Sequence, residues 1–156
     1  MGVLFARPCM AAEMRYNGER LTMEVHSMDE KVKALLQSQL WSVATYGDGA
    51  PNVVPVGFRD VMDDGRLVIG DVFMETTVKN VQANGQIAVS AYNAETSEGY
   101  QVKGTAEYVT EGPVMDTLRA KAAELFHGAL AVKGALLITP ETVVVTTPGP
   151  DNKKTL

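Results

Sequence analysis

Between Leu40 and Asp71 the chain breaks into three short apolar runs separated by tight-turn signals. "LWSVATY" (Leu40–Tyr46) runs into Gly47-Asp48-Gly49, "PNVVPVGF" (Pro51–Phe58) follows, and Asp63-Asp64-Gly65 precedes "RLVIGD" (Arg66–Asp71). Runs of this length, rich in Val and bounded by Asp and Gly, are strands joined by hairpin turns. Pro55, inside the second run, narrows the choice further. Proline has no N–H to give to a ladder, so this strand lies at a sheet edge or is broken there. An edge leaves backbone groups free to bind something else.

The same alternation returns in "QIAVSAY" (Gln86–Tyr92) and "YQVKGTAEYVT" (Tyr100–Thr110), separated by a polar loop. In the second, Tyr100, Val102, Gly104 and Ala106 share one face and Gln101, Lys103, Thr105 and Glu107 the other. "ALLIT" and "TVVVTT" read as two strands hinged at Pro140-Glu141, and "PGPDNKKTL" as a tail. Three helices interrupt this pattern. In "SMDEKVKALLQSQ", Ser27 and Glu30 have the spacing of a capping box, and Met28, Val32, Leu35 and Leu36 fall on one face. A second helix spans Thr76 to Asn84 with Gly85 as its stop, and "VMDTLRAKAAELF" is a third, opened by Pro113. Short strands with tight turns and few helices indicate a mainly β protein, a β-barrel or meander, rather than alternating βαβ units.

At 156 residues the chain makes one domain. Residues 1–25 show no steady period and carry Met1, Met10, Met14 and Met23. They read as a loosely ordered extension or as upstream sequence before a later start, with the domain proper at 26–156. Fourteen basic residues against 19 acidic give a net charge of -5, which argues against nucleic acid or an anionic membrane as the main partner. The single cysteine, Cys9, cannot form an intramolecular disulfide, and no apolar stretch reaches the ~20 residues of a membrane span. A cytoplasmic protein is expected.

The usual catalytic constellations are missing from the sequence. His26 and His127 have no second ligand at metal spacing, so no metal site is expected. Cys9 has no histidine partner nearby, and Asp60, Asp63 and Asp64 flank a glycine turn, where solvated turn residues are the better reading. No catalytic residue is assigned; if the chain does chemistry, a cofactor carries it. One stretch, "FMETTVKNVQANGQIAVSAY", suggests where. A helix mouth exposes free N–H groups and the positive end of a dipole, which suits phosphate. Thr76 and Thr77 would add hydroxyls and Lys79 a charge. Taken by itself, Thr76 or Thr77 is better explained as a plain N-cap.

Taken in order, "DGAPNVVPVGF", "DDGRLVIGD", "FMETTVKNVQANGQIAVSAY" and "GYQVKGTAEYVTEGP" resemble the pyridoxamine 5′-phosphate oxidase-like flavoproteins, most nearly their small FMN-binding proteins, whose likeness extends to "TPGPDNKKTL". The resemblance covers roughly Met28 to Leu156. It implies the FMN-binding split barrel, an antiparallel barrel of six to seven strands with a few helices, and a homodimer with FMN at the subunit interface. Val53, Val54, Pro55, Val56, Gly57 and Phe58 would run beside the flavin ring, with Gly70 and Asp71 lining the ring or ribityl chain. Thr76, Thr77, Lys79 and Asn80 match the family's phosphate-contacting segment. Relatives often carry Lys or Arg where this chain has Thr76, and Glu75 precedes it, so Lys79 or a partner-chain cation is expected to supply the charge. The basic substrate-binding segment that ends the vitamin B6 oxidase itself is not found here. The resemblance thus implies an FMN-dependent oxidoreductase or electron carrier, with NAD(P)H or a redox protein as partner. The alternatives are a non-catalytic flavin store, or the same fold holding F420 or haem, for which His127 is the candidate axial ligand.

Overall fold

The computed structural model describes residues 28–156, together with the backbone of a small hairpin, β1 (Met14–Tyr16) and β2 (Glu19–Leu21). The rest of the expected extension, with Cys9, and the first two residues of the expected domain, His26 and Ser27, lie outside the described residues. The main body is one antiparallel sheet of seven strands, β3 (Trp41–Gly47), β4 (Ala50–Val56), β5 (Arg59–Val61), β6 (Leu67–Asp71), β7 (Gln86–Tyr92), β8 (Gly99–Val109) and β9 (Gly134–Val145). Three helices accompany it, α1 (Glu30–Ser38), α2 (Thr76–Asn84) and α3 (Pro113–Leu125).

The strand order, β4-β3-β7-β8-β9-β6-β5, fixes the shape of the sheet. β4 and β5 occupy opposite edges, yet Val56 ends one and Arg59 begins the other. Three peptide steps span at most about 11 Å. The sheet must therefore curl until its two edges nearly meet, leaving a split at Val56–Arg59. Pro55 is on an edge strand, as its missing N–H requires.

Inside the curl, Val43, Val89, Val102, Ile69, Leu136 and Ile138 are buried from five strands, with Val32, Leu35 and Leu36 of α1 closing one end. Trp41, 1% exposed, donates its indole N–H to Leu36 O at 2.7 Å and so ties α1 to β3. The Arg59 guanidinium donates to the carbonyls of Gln37, in the last turn of α1, and Gln39, its C-cap, and stands 5.4 Å from the Trp41 ring centroid. A second cluster, Met115, Leu118 and Ala122 against Val68, Val132 and Ala135, seats α3 outside the curl.

Three expectations need correction. The cap of α1 is Asp29, whose carboxylate accepts the Lys31 N–H at 2.8 Å, so the helix starts two residues later than a box begun at Ser27, which lies outside the described residues, would start it. Pro140-Glu141 is no hinge between strands. β9 runs through it, and the irregularity is a bulge opposite Lys103-Gly104, where Gly104 pairs with Pro140 and Lys103 with Thr142. A Cβ on Gly104 would stand 2.1 Å from Thr139 O, so this crossing has room only for glycine. The terminal segment turns back along β9, Leu156 N–H reaching Val143 O at 2.9 Å, and is thus part of the fold.

Candidate functional site

A cleft of about 510 Å³ opens at the split in the sheet. One wall is the edge strand and its exit, Asn52, Val54, Pro55, Val56, Gly57 and Phe58. Opposite stand Gly70, the loop Val72–Glu75 and the first turn of α2 with Thr76 and Thr77. Phe126 and Leu130, from the connection between α3 and β9, close the apolar end. Phe58 and Phe126 meet edge to face, centroids 5.5 Å apart at 68°. Phe58 takes the space above Gly70, where a Cβ would come within 2.2 Å of its ring.

The polar end is built around α2. Its N-cap position is Glu75, which makes no capping bond, and neither threonine caps the helix. The first bond of the helix is Lys79 N–H to Glu75 O at 2.9 Å, which leaves the N–H groups of Thr76, Thr77 and Val78 without acceptors among the described residues. Thr77, 2% exposed, accepts from Asn52 Nδ2 at 3.0 Å, and so keeps its own O–H free to donate. Asn52 Nδ2 also reaches Thr45 Oγ1 at 3.3 Å, and Asn80 Nδ2 donates to that same oxygen at 3.1 Å. Asn80 is 2% exposed and fits because Gly47 has no side chain, a Cβ there meeting Asn80 Oδ1 at 2.0 Å.

Of the residues singled out in the sequence, Val54, Pro55, Val56, Gly57, Phe58, Gly70, Thr76 and Thr77 come together around this cleft. Val53, Asp71, Lys79 and Asn80 stand outside its lining. Val53 is 64% exposed. Asn80 docks α2 on β3. Lys79 points to the β3–β4 turn, where it pairs with Asp48. Asp71 is 1% exposed behind the lining; it accepts Met74 N–H at 2.7 Å and Tyr108 O–H at 2.8 Å, with Lys133 Nζ at 3.6 Å. Burial and the neighbouring Asp71 carboxylate push the Tyr108 phenol up to about 12. Among the described residues, Glu75 is the one ionisable side chain on the lining. His127 is exposed and outside it. Among the described residues no cluster of His, Cys, Asp or Glu could hold a metal ion, and no helix is long and apolar enough to cross a membrane.

Sequence reasoning missed Asn52, the loop Val72–Glu75, Phe126 and Leu130. A polar residue in an apolar edge strand could have flagged Asn52. Nothing local marks Phe126 or Leu130, which reach the cleft only through the seating of α3.

The family model described as pyridoxamine 5′-phosphate oxidase matches residues 28–150. An uncharacterised protein of Methanocaldococcus jannaschii is 32% identical over 128 residues, covering 81% of this chain and 85% of that protein. Among solved structures, HupZ of Group A Streptococcus superposes with a TM-score of 0.70 at 28% identity, over 80% of this chain and 98% of that one. An FMN-binding protein from Syntrophomonas wolfei subsp. wolfei shares the fold, with a TM-score of 0.66 at 13% identity over 74% of this chain and 84% of that one. The matched residues begin at Met28, just before α1, and run past the end of β9, so they take in the whole curled sheet and every wall of the cleft. The chain belongs to the pyridoxamine 5′-phosphate oxidase family and has its FMN-binding split-barrel fold.

Proposed function

We propose that this chain is an FMN-binding flavoprotein that works as an oxidoreductase or electron carrier in the cytoplasm, as a homodimer. The observation that carries the reading is the union, in one cleft, of an apolar slot along an edge strand and an uncapped helix N-terminus. A flavin mononucleotide has the matching halves, a flat ring and a phosphate. The donor set fits the group: the free N–H groups at the mouth of α2 and the Thr77 hydroxyl suit a phosphate, and the dipole of α2 favours its charge. The slot's Val54, Val56 and Phe58 suit a ring, and β4, an edge strand, has backbone groups free to meet ring heteroatoms. FMN, when bound, supplies electron or hydride transfer. The chain's part is to bind and orient it and to keep water from one face.

With Lys79 held by Asp48 and Glu75 on the lining, neutral donors carry the phosphate, so binding should depend only weakly on salt. Phe73 on the lip is 77% exposed, and Leu40, which is within reach of Gly57, is 68% exposed. A second copy seated there would cover both and complete the cleft.

The test is direct. Flavin released from the purified protein by denaturation and separated by chromatography should be FMN at one per chain, and anaerobic NADH or NADPH, or a reduced redox protein, should bleach it. A protein that stays colourless in excess FMN refutes the reading. Bound FMN that no physiological donor reduces makes the chain a flavin store instead. Sedimentation should give a dimer at micromolar concentration.

A further inference from the structure

Asp71 sits at the end of β6, where three strands and the cleft-lining loop converge on its one carboxylate. Oδ1 accepts the Met74 N–H at 2.7 Å, and Oδ2 accepts the Tyr108 hydroxyl of β8 at 2.8 Å. Lys133, just before β9, closes the cluster twice. Its N–H donates to the Asp71 carbonyl at 2.9 Å, and its ammonium lies 3.6 Å from Asp71 Oδ1 and 3.5 Å from Met74 O. The Tyr108 ring lies against Gly134, where a Cβ would stand 2.4 Å from it, so the phenol reaches Asp71 only because that position is glycine. Both faces of the Met74 peptide region are thereby held, N–H by the carboxylate and C=O by the ammonium.

Met74 lies between the lip residue Phe73 and Glu75, the residue that opens α2. Little else fixes this turn. Glu75 has a backbone of φ -125°, ψ -70° and no capping bond, and α2 makes its first hydrogen bond only at Lys79. The position of the helix mouth relative to β4 is thus set from behind, by a buried carboxylate that never reaches the cleft. We infer that Asp71, held by Tyr108 and Lys133, is a positioning residue that fixes the 72–77 wall and so sets the cleft's preference for a phosphorylated over an unphosphorylated flavin. The inference rests on the flavin reading for its ligand and on the hydrogen bonds alone for its mechanism. A carboxylate anchoring two charge-assisted bonds is stronger and better oriented than the amide that would replace it.

The experiment compares Asp71→Asn, Tyr108→Phe and Lys133→Met with the unaltered protein. Val89→Ala, a core truncation in β7, serves as a stability control. FMN and riboflavin affinities are measured by fluorescence quenching. The Asp71 and Tyr108 variants should lose about tenfold in FMN affinity with riboflavin changed much less, as the loss of one well-placed bond to a charged group implies. Lys133→Met should act in the same direction and less. Val89→Ala should leave the FMN-to-riboflavin ratio alone. Amide hydrogen exchange without flavin should quicken in residues 72–78 of Tyr108→Phe, while β3 and β7 keep their protection. A ratio unchanged in all three variants, or exchange that rises uniformly across the sheet, overturns the assignment and leaves Asp71 a plain structural residue. Should the unaltered protein bind neither flavin, the cofactor reading falls and the exchange measurement alone decides the positioning role.

Discussion

Gly70→Ala should damage both the stability and the cleft of this protein, and the structure says by how much. Gly70 has no left-handed backbone, so an alanine meets no torsional objection there; the cost is steric. The new Cβ would lie 2.2 Å from Phe58 Cδ1 and 2.3 Å from Cε1, where carbon atoms ordinarily stand about 3.5–4.0 Å apart. The ring must therefore withdraw by roughly 1.3 Å or more. It cannot do so by sliding the backbone, because Phe58 O accepts the Gly70 N–H at 3.0 Å. Withdrawal breaks the edge-to-face pair with Phe126, about 0.5–1.5 kcal/mol, and strains the packing by about 1–3 kcal/mol. A total near 2–4 kcal/mol should lower Tm by roughly 5–15 °C in a domain of this size. Urea unfolding of a double-mutant cycle isolates the contact. In a Phe58→Ala background the ring is gone, and Gly70→Ala should become nearly neutral. An equal cost in both backgrounds, or a single-mutant cost under about 0.5 kcal/mol, the usual range for an unstressed surface change, would refute the reasoning.

Three further outcomes follow from the same geometry. Trp41→Phe keeps most of the buried ring but strands the Leu36 carbonyl, and should cost about 1–3 kcal/mol by urea titration, with α1 exchanging first. Because the folded Tyr108 phenol titrates near 12 instead of 10.0, stability should be level up to about pH 10, then fall as pH climbs toward 12. Tyr108→Phe, less stable overall, should lack that alkaline component in Tm measured against pH. Lys79→Ala removes an exposed pair with Asp48 and should cost under about 1 kcal/mol, with FMN affinity changed less than about twofold; a tenfold loss would place the phosphate beside Lys79 after all.

Much of the fold is written locally. The two-residue alternation of Gln86–Tyr92 and Tyr100–Val109 marks strands because one face of each is buried, and Pro55 marks an edge because it cannot donate. Gly85, left-handed at φ 70°, ends α2 where the sequence places its stop. What failed was whatever depends on a neighbour. β5 has only three residues and carries no period of its own; it exists because β6 pairs with it. Pro140-Glu141 resembles a break between strands until the bulge opposite Gly104 absorbs the extra residue. α1 starts at Asp29 because its carboxylate reaches Lys31 N–H.

The site divides along the same line. The edge strand and the helix mouth are each one short continuous stretch, separated by β5 and β6, and each is legible by itself. Phe126, Leu130, Tyr108 and Lys133 reach the cleft or its support from later elements, and only the curl of the sheet brings them there. Lys79 illustrates the limit of reading by type. A cation one turn into the helix has the right charge for a phosphate, but it lies toward the β3–β4 turn, where Asp48 takes it.

The central claim is that the mouth of α2 holds the phosphate of FMN, and the ratio of FMN to riboflavin affinity in Thr77→Val tests it most directly. The threonine hydroxyl, oriented by the Asn52 amide at 3.0 Å, is a side-chain donor at the polar end of the cleft, and its loss should cost about 1.5–3 kcal/mol against a charged ligand. FMN binding should weaken roughly ten- to a hundredfold while riboflavin binding barely moves. Thr76→Lys, adding the cation the mouth lacks, should tighten FMN and make its binding more sensitive to salt. If Thr77→Val weakens both flavins equally, or neither, the phosphate lies elsewhere and the account of this cleft is wrong.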